Sequence, residues 1–274
     1  MSDGGLVLYR LRQSFHYDYD GPAYSLLHRL VVVPPVRHGD QQLRRAALVV
    51  SGGAAQVDWD TDGHGNRVGV VRLPVVRDSL TLSVDVVVER SGRQEPVPPS
   101  PTDPRLLEPS LLTLASPRVR QLAAAEAGGD HLTAAERVCR VLPELVRYTP
   151  GATSVRTTGA QALALGQGVC QDQAHVMLAV CRAAGIACRY VSGHMIGQGG
   201  THAWVEVVVN DGRGGRVVAF DPCLGRRTDR RYVTVAVGRD YSDVPPTSGW
   251  YSGPARGTLT GGRQLIAEDV LQAP

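Results

Sequence analysis

The sequence predicts an α+β protein built as an all-β segment of about 90 residues followed by a core in which helices precede strands. Three observations carry this. Apolar residues alternate with period two up to Glu89. Prolines crowd the stretch from Ser91 to Pro117. Beyond Pro117 the apolar period changes to that of a helix. The boundaries drawn are a β-sandwich-like domain over 1–91, a proline-rich connection over 92–116, and a core over 117–274.

Each element follows from local pattern. Leu6 to Arg12 and Gln13 to Tyr17 alternate in part. Leu26 to Val33 is an apolar run stopped by Pro34-Pro35, and Leu43 to Val50 ends at Ser51-Gly52-Gly53. Arg67 to Leu73 follows a Gly63-His64-Gly65-Asn66 turn. Leu80, Leu82, Val84, Val86 and Val88 form the cleanest alternation. The connection, with Pro96, Pro98, Pro99, Pro101, Pro104 and Pro109, is expected to be extended and to lie against both domains. Ser116-Pro117 fits an N-cap followed by proline. Thr133 to Glu136 has capping-box spacing ahead of Val138, Val141, Leu142 and Leu145. Thr158 to Leu165 predicts a short helix. Ala174, Met177, Leu178 and Cys181 give another helix one apolar face, stopped by Gly185.

Composition narrows the function classes. All 29 basic residues are arginine, and the formal net charge is +3. That is a mild excess and no basic stripe, so no nucleic-acid partner is expected. No apolar run approaches about 18 residues, and Met1 to Gly5 lack a basic region followed by a long apolar run. No membrane association is expected. Five cysteines, an odd number, favour free thiols and a cytoplasmic setting.

The chemistry concentrates around Gln167-Gly168-Val169-Cys170-Gln171-Asp172. Cys170 stands at the start of a helix, where the dipole and unbonded amides favour a thiolate and could hold an oxyanion. Gly168 removes a side chain where a substrate backbone could approach. Thr201 to Val209 and Arg216 to Pro222 form two strands joined through Asn210-Asp211-Gly212. A two-residue turn at Asp211-Gly212 sets His202 directly opposite Asp221, with Cβ atoms about 5 Å apart. Such a carboxylate could hold the imidazole through its Nδ1 proton. A bulge at Gly212, Gly214 or Gly215 would shift that register.

Gly168 to Asp172 with Ala174-His175, Tyr190 to Gly193, His202 to Glu206 and Phe220-Asp221-Pro222 resemble the bacterial transglutaminase-like family in order, spacing and type. Tyr148 to Thr153 and Val235 to Tyr241 are similar to it as well, and the N-terminal β segment resembles the β-domain that precedes the core in those proteins. The resemblance implies a papain-like core, with the cysteine-bearing helix packed on an antiparallel sheet. It implies Cys170 as nucleophile, His202 as base and Asp221 as the residue that orients it. The implied reaction is acyl transfer from an amide through a thioester, to water or to an amine, with no cofactor. A peptide, protein or small amide would be the substrate. His194 and Cys223-Leu224 depart from the family pattern.

Gln167 and Gln171 are candidates for substrate or oxyanion contacts, and Trp204 for a pocket wall or a core position. His175 reads as structural. Cys139, Cys181 and Cys188 fall on apolar patterns and read as core. Cys170, Cys181, Cys188 and His175 lack the spacing of a zinc site, so no metal is expected. Two other functions stay open: a non-catalytic binding protein on the same fold, and a biosynthetic enzyme forming amide bonds on a small molecule.

Overall fold

The structure is a computed structural model that describes residues 6–92, 99–210 and 215–271. Met1 to Gly5, Pro96, Pro98, the Asp211-Gly212 turn and Gly214 lie outside the described residues. The first domain contains β1 (Leu6–Tyr19), β2 (Ala23–Leu30), β3 (Arg37–His38), β4 (Gln41–Ser51), β5 (Gln56–Thr61), β6 (Arg67–Val76) and β7 (Ser79–Arg90). The alternating residues of β1 and β7 (Leu11, Phe15, Leu80, Leu82, Val84 and Val86 among them) point inward. They share one core with Leu26, Leu30, Val71 and Leu73 of the facing sheet. This is the sandwich that period two predicts. The two pieces read at 6–12 and 13–17 are one strand. β5, with polar residues on both faces, gives no such period and was not predicted.

The connection contains α1 (Pro104–Leu107), capped by Asp103, and ends before α2 (Pro117–Glu126), capped by Ser116 with proline at its first position. It touches both domains. Arg105 donates to the Gly63 carbonyl at 2.5 Å, and Leu106 packs with Ala187 and Val208. The core continues with α3 (His131–Leu145), β8 (Arg147–Tyr148), α4 (Gly159–Leu165), β9 (Gln167–Gly168) and α5 (Cys170–Ala183). Asp130 caps α3, accepting from the Thr133 amide at 3.0 Å. The predicted cap at Thr133 is therefore displaced by three residues, because Gly128-Gly129-Asp130 offers an earlier stop and a better side-chain acceptor. Strands β10 (Cys188–Met195), β11 (His202–Asn210), β12 (Gly215–Asp221), β13 (Arg226–Arg227) and β14 (Tyr232–Gly238) follow, forming a sheet in the order β13-β12-β11-β10-β14.

Two further features differ from expectation. Helix α5 is buried all round from Asp172 to Arg182, not on one face. Helices cover one side of it and the sheet the other, so its polar residues face protein and not water. Arg182 donates to Thr113 Oγ1 at 2.7 Å and to the Arg239 carbonyl at 2.7 Å. The last strands, β15 (Thr247–Ser252) and β16 (Gly257–Leu271), leave the core. They pair with β2 and β1 and complete the first domain's two sheets, β16-β1-β7-β4-β3 and β15-β2-β6-β5. The stretch assigned to the core at 117–274 thus supplies core elements only as far as about Val244. A hydrophobic period gives the type of a strand but not its partner.

The hairpin β11–β12 pairs Val205 with Phe220 and Asn210 with Gly215. The predicted register, with His202 opposite Asp221, is corrected by two residues, because Asn210 pairs with Gly215, two positions further on than a two-residue turn at Asp211-Gly212 allows. A shift of two keeps every side chain on its face. His202 and Asp221 therefore still share a face, as diagonal neighbours.

Candidate active site

The nucleophile end is built by a short parallel bridge. β8 pairs with β9, and the Thr149 amide donates to the Gly168 carbonyl at 2.7 Å. This fixes the chain two residues before Cys170. Val169 is extended, and α5 begins at Cys170. The Asp172 carboxylate, fully buried, accepts from the Val169 amide at 2.8 Å and from Thr153 Oγ1 at 2.6 Å. It so ties the helix start to the preceding loop, while burial pushes its carboxyl up. The first-turn amides of Cys170 and Gln171 have no intrahelical acceptor. Gly168 serves this device: a Cβ there would lie 2.7 Å from the Asp172 Cβ.

Cys170 is half-buried and hydrogen-bonds with His202. His202, 3% exposed, opens β11. Its Nε2 donates to Asp221 Oδ2 at 2.8 Å, leaving Nδ1 for the thiol. The expectation that Asp221 holds the Nδ1 proton is corrected: the ring meets the carboxylate through Nε2. Asp221 ends β12 with no exposed surface. Its Oδ2 also accepts from the Tyr232 hydroxyl at 2.7 Å, and its Oδ1 from the Cys223 amide at 2.9 Å and the Leu224 amide at 3.3 Å.

These bonds decide the charges. Burial works to lower the His202 pKa, but the bonds and charges of Asp221 and Cys170 outweigh it and push it up to about 9. Burial works to raise Asp221, and His202, Tyr232 and the Cys223 amide hold its carboxyl below the ordinary value. The site so favours an imidazolium beside a carboxylate. Three of the other thiols are pushed up, while against burial the hydrogen bond from Cys181 and the charge of Arg182 hold Cys188 down. Burial and the charge of Asp221 push Cys223 and Cys139 up to about 12. The hydrogen bond to Cys188, with burial, pushes Cys181 up.

Trp204, 1% exposed, stacks 6.2 Å from the His202 ring and edge-on to Tyr232 at 5.4 Å. It backs the imidazole from within the core. Gly193 makes room for it, since a Cβ there would collide with the Trp204 ring and the Val233 carbonyl. Gln167 lies on β9 and Gln171 in the first turn of α5, both half-buried and flanking Cys170 in the chain. His194 is buried, its Nδ1 3.2 Å from the Gly200 carbonyl on the loop that leads to His202. His175 is buried, accepts from the Tyr241 amide at 3.2 Å, and is pushed down to about 4, chiefly by burial. Among the described residues no cluster of three or more His, Cys, Asp or Glu could hold a metal. Sequence reasoning missed Tyr232, Asp172 and Thr153. Asp172 carries a signal, an acid at the third position of a helix. Tyr232 carries none, because its strand pairs with β10 and not with β12.

With this geometry in place, comparison with known proteins identifies the class. Residues 120–222, which contain Cys170, His202 and Asp221, match the transglutaminase-like superfamily. Residues 9–89 match the bacterial transglutaminase-like N-terminal region. The chain belongs to this bacterial transglutaminase-like family. An uncharacterized protein of Mycobacterium leprae is 40% identical over 116 residues, which is 39% of this chain and 40% of that one. An uncharacterized protein of Mycobacterium tuberculosis strain H37Rv is 28% identical over 284 residues, covering 89% of this chain and 88% of its own. The crystal structure of a candidate cysteine protease from Cytophaga hutchinsonii superposes with a TM-score of 0.78 at 21% identity, covering 100% of this chain and 94% of that one. That likeness concerns the fold.

Proposed function

We propose that the protein is a cysteine enzyme that transfers the acyl group of an amide, in a peptide, a protein or a small molecule, to water or to an amine. The observation that supports this best is the hydrogen-bonded series Cys170–His202–Asp221–Tyr232 at the start of a buried helix. The proton shared by Cys170 and His202 rests on the imidazole, and the Cys170 sulfur bonds to the amide carbon as the carbonyl electron pair moves to oxygen. The developing oxyanion lies against the first-turn amides, with Gln167 or Gln171 as a further donor. The C–N bond then breaks, and His202 passes its proton to the leaving amine. Water or an amine attacks the thioester and gives its proton to His202; the C–S bond then breaks, the acid or new amide leaves, and the proton returns to the Cys170–His202 pair. Asp221 holds the imidazolium formed in each half, and Tyr232 and the Cys223 amide hold Asp221.

The test is intact-protein mass spectrometry after incubation with peptide libraries and amine donors. An acyl adduct on Cys170, absent in Cys170→Ala, is expected, and the released product shows the acceptor. Limiting iodoacetamide near neutral pH should label Cys170 before the other four thiols. Faster labelling of Cys139, Cys181, Cys188 or Cys223 would remove the assignment and favour the non-catalytic reading.

A further inference from the structure

Two large apolar side chains that the fold leaves in solvent frame the mouth of the site. Tyr148 on β8 is 54% exposed, and Leu224, in the turn after Asp221, is 43% exposed. Backbone bonds hold each against the catalytic residues. Tyr148 is the parallel partner of Gly168, two residues before Cys170, and the next amide, that of Thr149, donates to the Gly168 carbonyl. The Leu224 amide donates to the Asp221 carbonyl at 3.2 Å and to its Oδ1 at 3.3 Å. We propose that Tyr148 and Leu224 are specificity-determining residues, the two walls of a subsite that takes an aliphatic or aromatic group beside the carbonyl that Cys170 attacks. The proposal rests on the catalytic reading above and names its substrate class.

A single exposed apolar side chain is ordinary. These two differ in where they stand. Burial, and then the charges of Cys170 and Cys223, push the Tyr148 phenol up, so the ring lies near both thiols. Cys223 immediately precedes Leu224 and itself lies within reach of the Cys170 charge. Tyr148 thus comes from the segment before the nucleophile and Leu224 from the segment after Asp221, and the two flank one sulfur. Neither has a structural duty that accounts for it. Among the described residues the Tyr148 hydroxyl makes no hydrogen bond and its ring no aromatic contact. Neither side chain belongs to an apolar cluster of the interior. An apolar group seated between them would take both from water, which is how a small subsite gains affinity. Selection by charge has no comparable basis. Asp172 and Asp221 are fully buried and already bonded. Strand alternation sets Arg147 on the opposite face of β8 from Tyr148.

The test is the rate of Cys170 alkylation in the full chain, followed by peptide mass spectrometry. The reagents are iodoacetamide, N-hexyliodoacetamide, N-benzyliodoacetamide and N-(2-carboxyethyl)iodoacetamide, which need the thiol and the subsite but no turnover. Each rate is divided by that of iodoacetamide on the same protein, and by the same ratio for glutathione in solution, which removes intrinsic reactivity. The hexyl or benzyl ratio should be at least roughly tenfold, the low end of what an added apolar group gains in a hydrophobic pocket. The carboxyethyl ratio should show no such gain. Both walls are exposed, so the fold should persist in Tyr148→Ala/Leu224→Ala, where the apolar ratios should fall toward one. Trp250→Ala, an exposed aromatic of the first domain's sheet, should keep the ratios of the unaltered chain. Apolar ratios near one in the unaltered chain, an equal gain for the carboxyethyl reagent, ratios that survive the double variant, or an equal fall in Trp250→Ala overturn this proposal and leave the catalytic reading standing. Failure of iodoacetamide to label Cys170 ahead of the other thiols overturns the catalytic reading, and this proposal with it.

Discussion

The N-terminal sandwich and the core sheet are both antiparallel, yet they are built on opposite terms. In the sandwich the central strands β1 and β7 each have one buried face and one wetter face. β7 alternates in burial along its whole length, and polar residues go outward. In the core sheet, β11 is buried from His202 to Val208 and β14 throughout. One face of β11, Ala203, Val205 and Val207, packs in the helical core. The other carries His202, Trp204 and Glu206 and looks toward the first domain. A polar residue there cannot turn to water, so each must find a partner within the protein. A sheet covered on both sides is where polar side chains become a fixed network, and that network is the site.

The covering is itself bonded. Gln41 donates to the Thr234 carbonyl at 2.8 Å and accepts its amide at 2.9 Å. Asn66 does the same for Val237 at 2.7 and 2.8 Å. Two side-chain amides thus cap the edge of β14 as a neighbouring strand would. Arg90 adds a bond to the carbonyl of Tyr232, the residue that holds Asp221.

If the doubly covered face is the catalytic one, its largest effect is on turnover. Asp221→Asn should lower kcat by about 10⁴, as the corresponding change does in the serine-protease triad, and His202→Ala should abolish turnover. The double variant should lose no more than the worse single one, because coupled residues do not act additively. Losses that multiply would dissolve the pair.

The next effect is on stability. Gln41→Ala or Asn66→Ala leaves an amide and a carbonyl of β14 without partners and should cost about 1–3 kcal/mol by urea denaturation. A change on the wetter face of the sandwich, Val49→Thr at 60% exposure, should stay within about 0.5 kcal/mol. Equal costs would erase the contrast between the two sheets.

Titration sharpens it further. His202 rises from 6.5 unfolded to about 9 folded, so its stabilisation is whole below pH 6.5 and is lost as pH rises through about 9. The urea midpoint should fall across that window in the unaltered protein and fall less in His202→Ala. The smallest effect is that of Tyr232→Phe. Asp221 keeps three other donors, so kcat should drop only about tenfold, with the fold unchanged. A null result would reduce Tyr232 to packing.

Much of this was legible beforehand. The period-two strands, the Ser116 cap, the short helix ending at Gly166 and the helix beginning at Cys170 follow from local propensities, which act within one turn or one strand. Cys170, His202 and Asp221 stood out because a helix start and one strand face are local properties. Their common face survived a register error because side chains repeat every two residues along a strand. What the sequence by itself determined is therefore each element's type and the face each residue takes. The tertiary structure alone decided which strands become neighbours. β16 returns to β1, β14 joins β10, Tyr232 meets Asp221 and Gln41 meets Thr234. The physical reason is that such contacts join residues far apart in the chain and are selected by burial and hydrogen-bond satisfaction over the whole molecule, which no window of sequence contains.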